Sequence, residues 1–135
     1  MGKKQEVVVP EWAARYSRLT YGAGVIRQGG RLLFISGQGP IDENGRLLAP
    51  GNLKEQTRLI YERIGKVLEA AGGTFDDIVK TTDYIVPEAV AEYKETGEIR
   101  RQYLKGTARA ATGVIVHSLL KKGMLIEIDA IAVLG

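Results

Sequence analysis

The chain has 135 residues, of which 44% are hydrophobic and 26% charged; this suits one globular domain with a single core. Nineteen basic against 16 acidic residues leave a formal net charge of +3, too small and too dispersed to imply a nucleic-acid surface. Cysteine is absent, which excludes disulfides, thiolate nucleophiles and thiolate metal sites.

Residues 1–135 are expected to form one domain, with residues 1–19 as an N-terminal arm: an extended stretch followed by a short helical turn. No apolar core follows Lys3 and Lys4, so no signal peptide is expected in this stretch. Glu6 stands where a myristoylation site needs Ser or Thr. No apolar run approaches transmembrane length, and a cytoplasmic protein is expected. Trp12, the single tryptophan, reads as a packing anchor. Residues 20–27 and 31–38 read as a hairpin around Gln28-Gly29-Gly30. Leu32-Leu33-Phe34-Ile35 is apolar on both faces and should be a central strand. It runs into Ser36-Gly37-Gln38-Gly39-Pro40, where glycine lets backbone N–H groups face a ligand. No Gly-Lys-Ser/Thr follows, so this is not a phosphate loop.

Asn52, with Glu55 three residues on, caps a helix. Leu53, Thr57, Ile60, Tyr61, Ile64, Val67, Leu68 and Ala71 share one face, and Gly72-Gly73 ends it. Residues 78–86 read as a strand with a polar middle. Pro87 opens a second helix running to about Leu104, with Val90, Tyr93, Gly97 and Leu104 inward and Arg100 and Arg101 in its last turns. Residues 107–119 contain another strand, Lys121-Lys122-Gly123 is a turn, and residues 124–134 form the last strand. The order β-β-α-β-α-β-β is an α+β pattern in which two helices cover one face of one mixed sheet. The other face also carries apolar residues, so oligomerisation through it is expected.

The last strand is almost wholly apolar, yet it holds Glu127 and Asp129. Residues two apart point to one face of a strand, and burying two carboxylates is costly unless they are paired. One reading is structural: Lys80 on a neighbouring strand pairs with them, or that face is wet. The other is functional: one carboxylate is a base in a cleft.

Ser36-Gly37-Gln38 after an apolar strand, the helix end Glu69-Ala70-Ala71-Gly72, Asp77-Ile78-Val79-Lys80-Thr81-Thr82, and Ile126-Glu127-Ile128-Asp129-Ala130 together resemble the RidA/YjgF family over residues 20–134. The stretch from Tyr84 to Gly113 is most similar to the 2-aminomuconate deaminase branch. The resemblance implies a chorismate-mutase-like fold, a homotrimer whose sheets form a barrel, and ligand clefts between subunits. It also implies hydrolysis of enamine or imine carboxylates to keto acids and ammonia without metal or cofactor. Carried over by position, Glu127 handles the water and Gly37 offers its backbone N–H beside Ser36. Tyr21 is the first-strand tyrosine and Arg109 grips the substrate carboxylate. Gly97 stands where archetypal members have asparagine, and the cysteine after the arginine is missing. The spacing from Arg109 to residues 116–119 is two residues longer than in the archetype. A gapless alignment puts Ala111 in the arginine's place, displacing Arg109 by about 6–7 Å on the same strand face; Arg100 or Arg101 could otherwise supply the cation.

A guanidinium suits a carboxylate, and a partly desolvated glutamate suits a base for water. Asp129 reads as support for Glu127. His117, the only histidine, reads as a surface or interface residue; without a second histidine neither a Ser-His-Asp triad nor a metal site is expected. Tyr84, Tyr93 and Tyr103 read as packing or interface residues. The alternative to a deaminase is a non-catalytic, ligand-binding or chaperone-like trimer. RNA cleavage, a third activity attached to the family, is argued against by the modest charge and the lack of an aromatic stacking platform.

Overall fold

The Asn52 side chain accepts a hydrogen bond from the Glu55 N–H at 3.0 Å and starts helix α1, Leu53–Ala70. Its apolar stripe, Leu53, Ile60, Tyr61, Ile64 and Leu68, is fully buried. At its end Gly72 takes a left-handed φ of 81° and the Gly73 N–H closes on the Leu68 carbonyl. The partner of that stripe is a sheet. The computed structural model describes residues 4–135, so the first three residues of the expected arm lie outside the described residues.

The strands are β1 (Lys4–Val8), β2 (Gly24–Gln28), β3 (Arg31–Gln38), β4 (Ile78–Ile85), β5 (Ala110–Ile115) and β6 (Ile126–Leu134). A four-stranded mixed sheet runs β3-β6-β4-β5; β4 and β5 are parallel and the other pairs antiparallel. The second helical stretch begins at Pro87 as expected, but it is a 3-10 segment over Pro87–Glu95 before becoming helix α2, Thr96–Tyr103. Among the described residues no helix is long and apolar enough to cross a membrane.

The alternation of β6 divides the sheet. Ile126, Ile128, Ala130 and Ala132 face α1 and are buried with Ile35, Ile78 and Ile85. Full burial of an isoleucine contributes about 2 kcal/mol, so this face is where the fold is held. Glu127, Asp129 and Ile131 point the other way. By register they share that open face with Tyr84, Thr82, Lys80 and Phe34, and Leu32 and Phe34 there are 64% and 68% exposed.

Four expectations are corrected. Gly29 and Gly30 do turn the chain, at φ 73° and 80°, but the two arms do not pair as a hairpin. β2 pairs with β1 in a two-stranded ribbon, and β3 pairs with β6. β6 offers nine residues, wholly apolar on the core face and apolar at Ile131 and Val133 on the other, whereas β2 offers five ending in Arg27 and Gln28; the longer apolar ladder is the better partner. Arg27 instead donates to the Val133 carbonyl at 3.0 Å. Second, β3 is an edge strand of this sheet rather than a central one; its outer face is apolar but uncovered. Third, Trp12 does not anchor packing: it is 68% exposed and touches Tyr16 edge-on. Fourth, Val90 is exposed rather than inward.

Gln56 joins α1 to the start of β6. It is fully buried, donates to the Ala49 and Gly123 carbonyls at 3.2 and 3.1 Å, and accepts from the Leu125 N–H at 2.8 Å. Gln56→Leu keeps the volume and strands these backbone groups. It should cost about 2–4 kcal/mol, read as a lower midpoint in urea unfolding with an unchanged slope.

Candidate active site

β3 and β6 lose register between Ile35 and Gln38: Ile35 lies opposite Ala130 and Gln38 opposite Ile128. The extra residue is a bulge at Ser36-Gly37, and such bulges re-aim the chain beside a site. Here the bulge presses Gly37 onto Glu127. A Cβ on residue 37 would stand 2.3 Å from the Glu127 Oε2, so any side chain there would push this carboxylate aside. Ser36 is exposed beside it. Partial burial raises the Glu127 carboxyl above its ordinary pKa, and the Asp129 charge adds to the shift.

The two carboxylates of β6 have separate fates. Asp129 accepts a 2.8 Å hydrogen bond from the Tyr84 hydroxyl, which holds the phenol above its usual pKa. Lys80, the expected cation, does not reach either carboxylate; it donates to the Thr112 hydroxyl across the parallel β4–β5 pair. Glu127 has no ion-pair or hydrogen-bond partner among the described residues.

On the helix-covered face lies a cavity of about 170 Å³, lined chiefly by Tyr21, Thr81, Asp83, Tyr93, Arg100 and Arg109. Asp83 on β4 is buried, because it shares strand parity with Thr81 and Ile85. Its Oδ2 accepts from the Tyr93 hydroxyl at 2.5 Å and from the Arg100 guanidinium at 3.1 Å. Arg100 also donates to the Thr96 hydroxyl and lies 5.0 Å over the Tyr93 ring. Burial, then the Asp83 charge, pushes the Tyr93 hydroxyl up, so it stays a neutral donor.

Arg109 is only 2% exposed. Its guanidinium donates to the carbonyls of Thr20, Gly106 and Lys105 at 2.6, 3.0 and 3.0 Å, and its buried Nε has no partner. It ties the strand-entry loop to the segment before Tyr21. Burial works against its charge, and no carboxylate among the described residues bonds to it.

The structure therefore brings Glu127, Gly37 and Ser36 together on the open face, and Tyr21 and Arg109 together on the other. Within one chain these groups do not meet, because Arg109 follows the parity of Ala111, which pairs with the buried Thr81. Arg101 and His117 are exposed. Sequence reasoning missed Asp83 as a partner of Arg100; Tyr93 does pack against the core as expected, but its hydrogen bond to Asp83 was not foreseen, and the available signal was an acid at a parity position otherwise held by Thr81 and Ile85. Among the described residues no group of three His, Asp or Glu side chains could hold a metal ion.

Residues 10–134 match the family model described as Endoribonuclease L-PSP. A RutC family protein of Pyrococcus horikoshii is 38% identical over 103 residues, covering 76% of this chain and 79% of that one. The human protein named 2-iminobutanoate/2-iminopropanoate deaminase is 36% identical over 107 residues, covering 78% and 74%. A crystal structure of the Rid-family protein YyfB from Yersinia pestis, described as of unknown function, superposes with a TM-score of 0.86 at 29% identity, covering 96% of this chain and 98% of that one. The family model spans β2 to β6, both helices and the Gly37–Glu127 contact alike: the chain belongs to the RidA/YjgF family.

Proposed function

We propose that this chain is a cofactor-free hydrolytic deaminase of imine and enamine carboxylates, working as a homotrimer. The observation that carries the reading is Glu127: a carboxylate packed on a bulged glycine, unpaired, and raised in pKa by burial and a like charge. That is the environment of a base for water. Relatives named as imine deaminases at about 36% identity support the same chemistry.

The reaction is an addition and an elimination. Water adds to the carbon of the protonated C=N group while Glu127 takes its proton; Glu127 returns that proton to the amine nitrogen, and the carbinolamine expels ammonia, which carries off the hydroxyl proton as ammonium and leaves the keto acid. An enamine first takes a proton on carbon. The Gly37 N–H and Ser36 steady the polar end of the substrate. The carboxylate goes to the cavity, where Arg100 offers the N–H groups that Asp83 and Thr96 leave free, Arg109 adds its charge from behind, and Tyr21 forms the wall. A partner subunit seated on the uncovered Leu32 and Phe34 would set its own cavity against Glu127. The cavity holds two guanidinium groups and one carboxylate. One uncompensated positive charge favours a monocarboxylate over the dicarboxylate expected of an aminomuconate-like branch.

A second reading, a binding protein without turnover, is favoured by one observation: the Arg109 guanidinium is already spent on three carbonyls. Freshly generated 2-aminoacrylate separates the two. Glu127→Gln should lower ammonia release by about 10²-fold or more, and equal rates for variant and wild type would remove Glu127 from the mechanism. The same variant should melt no lower than wild type at neutral pH. A carboxylate with a raised folded-state pKa stabilises the fold only while protonated, and that stability is lost as pH rises through the shift.

The acid limb of kcat/KM should lie above the ordinary carboxylate pKa, since Glu127 must be ionised to act. Asp129→Asn removes the like charge and keeps an acceptor for Tyr84, so the limb should move to lower pH. Gly37→Ala should cut kcat by about tenfold or more, because the added methyl displaces the carboxylate from its aligned position; circular dichroism should show the fold retained.

A further inference from the structure

Tyr21 is held on both sides by a single residue. The Arg109 guanidinium donates to the Thr20 carbonyl at 2.6 Å, and the Arg109 carbonyl accepts from the Gly22 N–H at 2.8 Å. Between these two bonds sits Tyr21, whose side chain lines the cavity with Arg100 and Tyr93. The same guanidinium holds the Lys105 and Gly106 carbonyls, so the loop between α2 and β5 is tied to the Tyr21 segment at one point. Gly22 closes the clamp. It is buried, and a Cβ there would stand 2.8 Å from the Val7 side chain and 3.0 Å from the Thr107 carbonyl oxygen.

The two arginines of the cavity are committed differently. Arg109 gives two bonds from Nη1 and one from Nη2, all to backbone carbonyls. Releasing them to take a ligand would leave carbonyls bare in a buried place. The bonds of Arg100 to Asp83 and Thr96 both leave from Nη2, which keeps the rest of that guanidinium for an anion. We propose that Arg109 is a positioning residue that acts through Tyr21: it fixes the tyrosine as a wall of the cavity and does not itself touch the substrate carboxylate. This role rests on the deaminase reading for what the cavity receives, yet binding tests it without turnover.

A double-mutant cycle on Arg109 and Tyr21 reads the role, with pyruvate, the keto acid of 2-aminoacrylate, as the probe in titration calorimetry. Arg109→Lys keeps the charge but cannot span three carbonyls. It should weaken pyruvate by about tenfold while Tyr21 is present, and by less than about twofold in the Tyr21→Ala background. Direct contact or general support of the fold by Arg109 would instead make the losses add. Should Arg109→Lys fail to fold, Gly22→Ala carries the same cycle: it leaves the guanidinium in place, shifts the segment, and should likewise matter only while Tyr21 is present. Additive losses, a Tyr21→Ala protein that binds pyruvate like wild type, or a wild type that does not bind pyruvate would overturn the proposal. Ammonia release from 2-aminoacrylate is read separately. Coupled losses without turnover keep the positioning role and remove the deaminase reading; turnover with additive losses keeps the deaminase and removes this role for Arg109.

Discussion

The structure depends on the alternation of one strand. β6 lies between β3 and β4 and sends its even-numbered side chains from Ile126 to Ala132 into the core under α1. The same pleat turns Glu127 and Asp129 outward by necessity. No rotamer brings either to the dry face without shifting the register, and a one-residue shift would expel four core residues at once. Core and site are thus two sides of one ladder, and the cost of holding two carboxylates together is met by the burial behind them.

The same partition keeps base and cation apart within a chain. Glu127 opens on one face of the sheet, while Arg100, Arg109 and Asp83 lie on the other, under the second helical stretch. An internal salt bridge between them would neutralise both and leave nothing for an anionic substrate. Opposite faces prevent that collapse, and the proposed deaminase therefore requires its cleft to form between subunits. The uncovered Leu32 and Phe34 beside the carboxylates supply the apolar surface on which such an assembly can form.

Much of this was legible in the sequence because it rests on local rules. The Asn52 cap, the stripe of α1, the terminating glycines and the strand with two carboxylates all announce themselves by spacing. What escaped depends on competition between distant segments. Gly29-Gly30 says that the chain turns, but not that β3 will prefer β6 and leave β2 to β1. An apolar β3 reads as central, yet its outer face is apolar for a different reason, since it stays open in the chain. Arg109 carries the family's expected label, but its partners are backbone carbonyls, which leave no mark on residue identity. The Asp83–Arg100 pair joins β4 to α2 and was hidden because each residue has an adequate local excuse, a polar strand middle for one and a helix C-terminus for the other.

The role of Lys80 shows why the charge pattern matters more than the charge count. Had Lys80 paired with Glu127, the attraction would have lowered the glutamate's pKa and made it a poor base near neutrality. Lys80 instead bonds Thr112, and Tyr84 fastens Asp129 through a neutral hydroxyl. Asp129 is thereby held in place with its charge intact, two residues from Glu127 on the same face. A like charge held close raises a neighbour's pKa more than one free to swing away. Tyr84 therefore supports Glu127 indirectly: burial does most to raise the glutamate, and Tyr84 steadies the anion that adds to that rise, without donating to the glutamate itself.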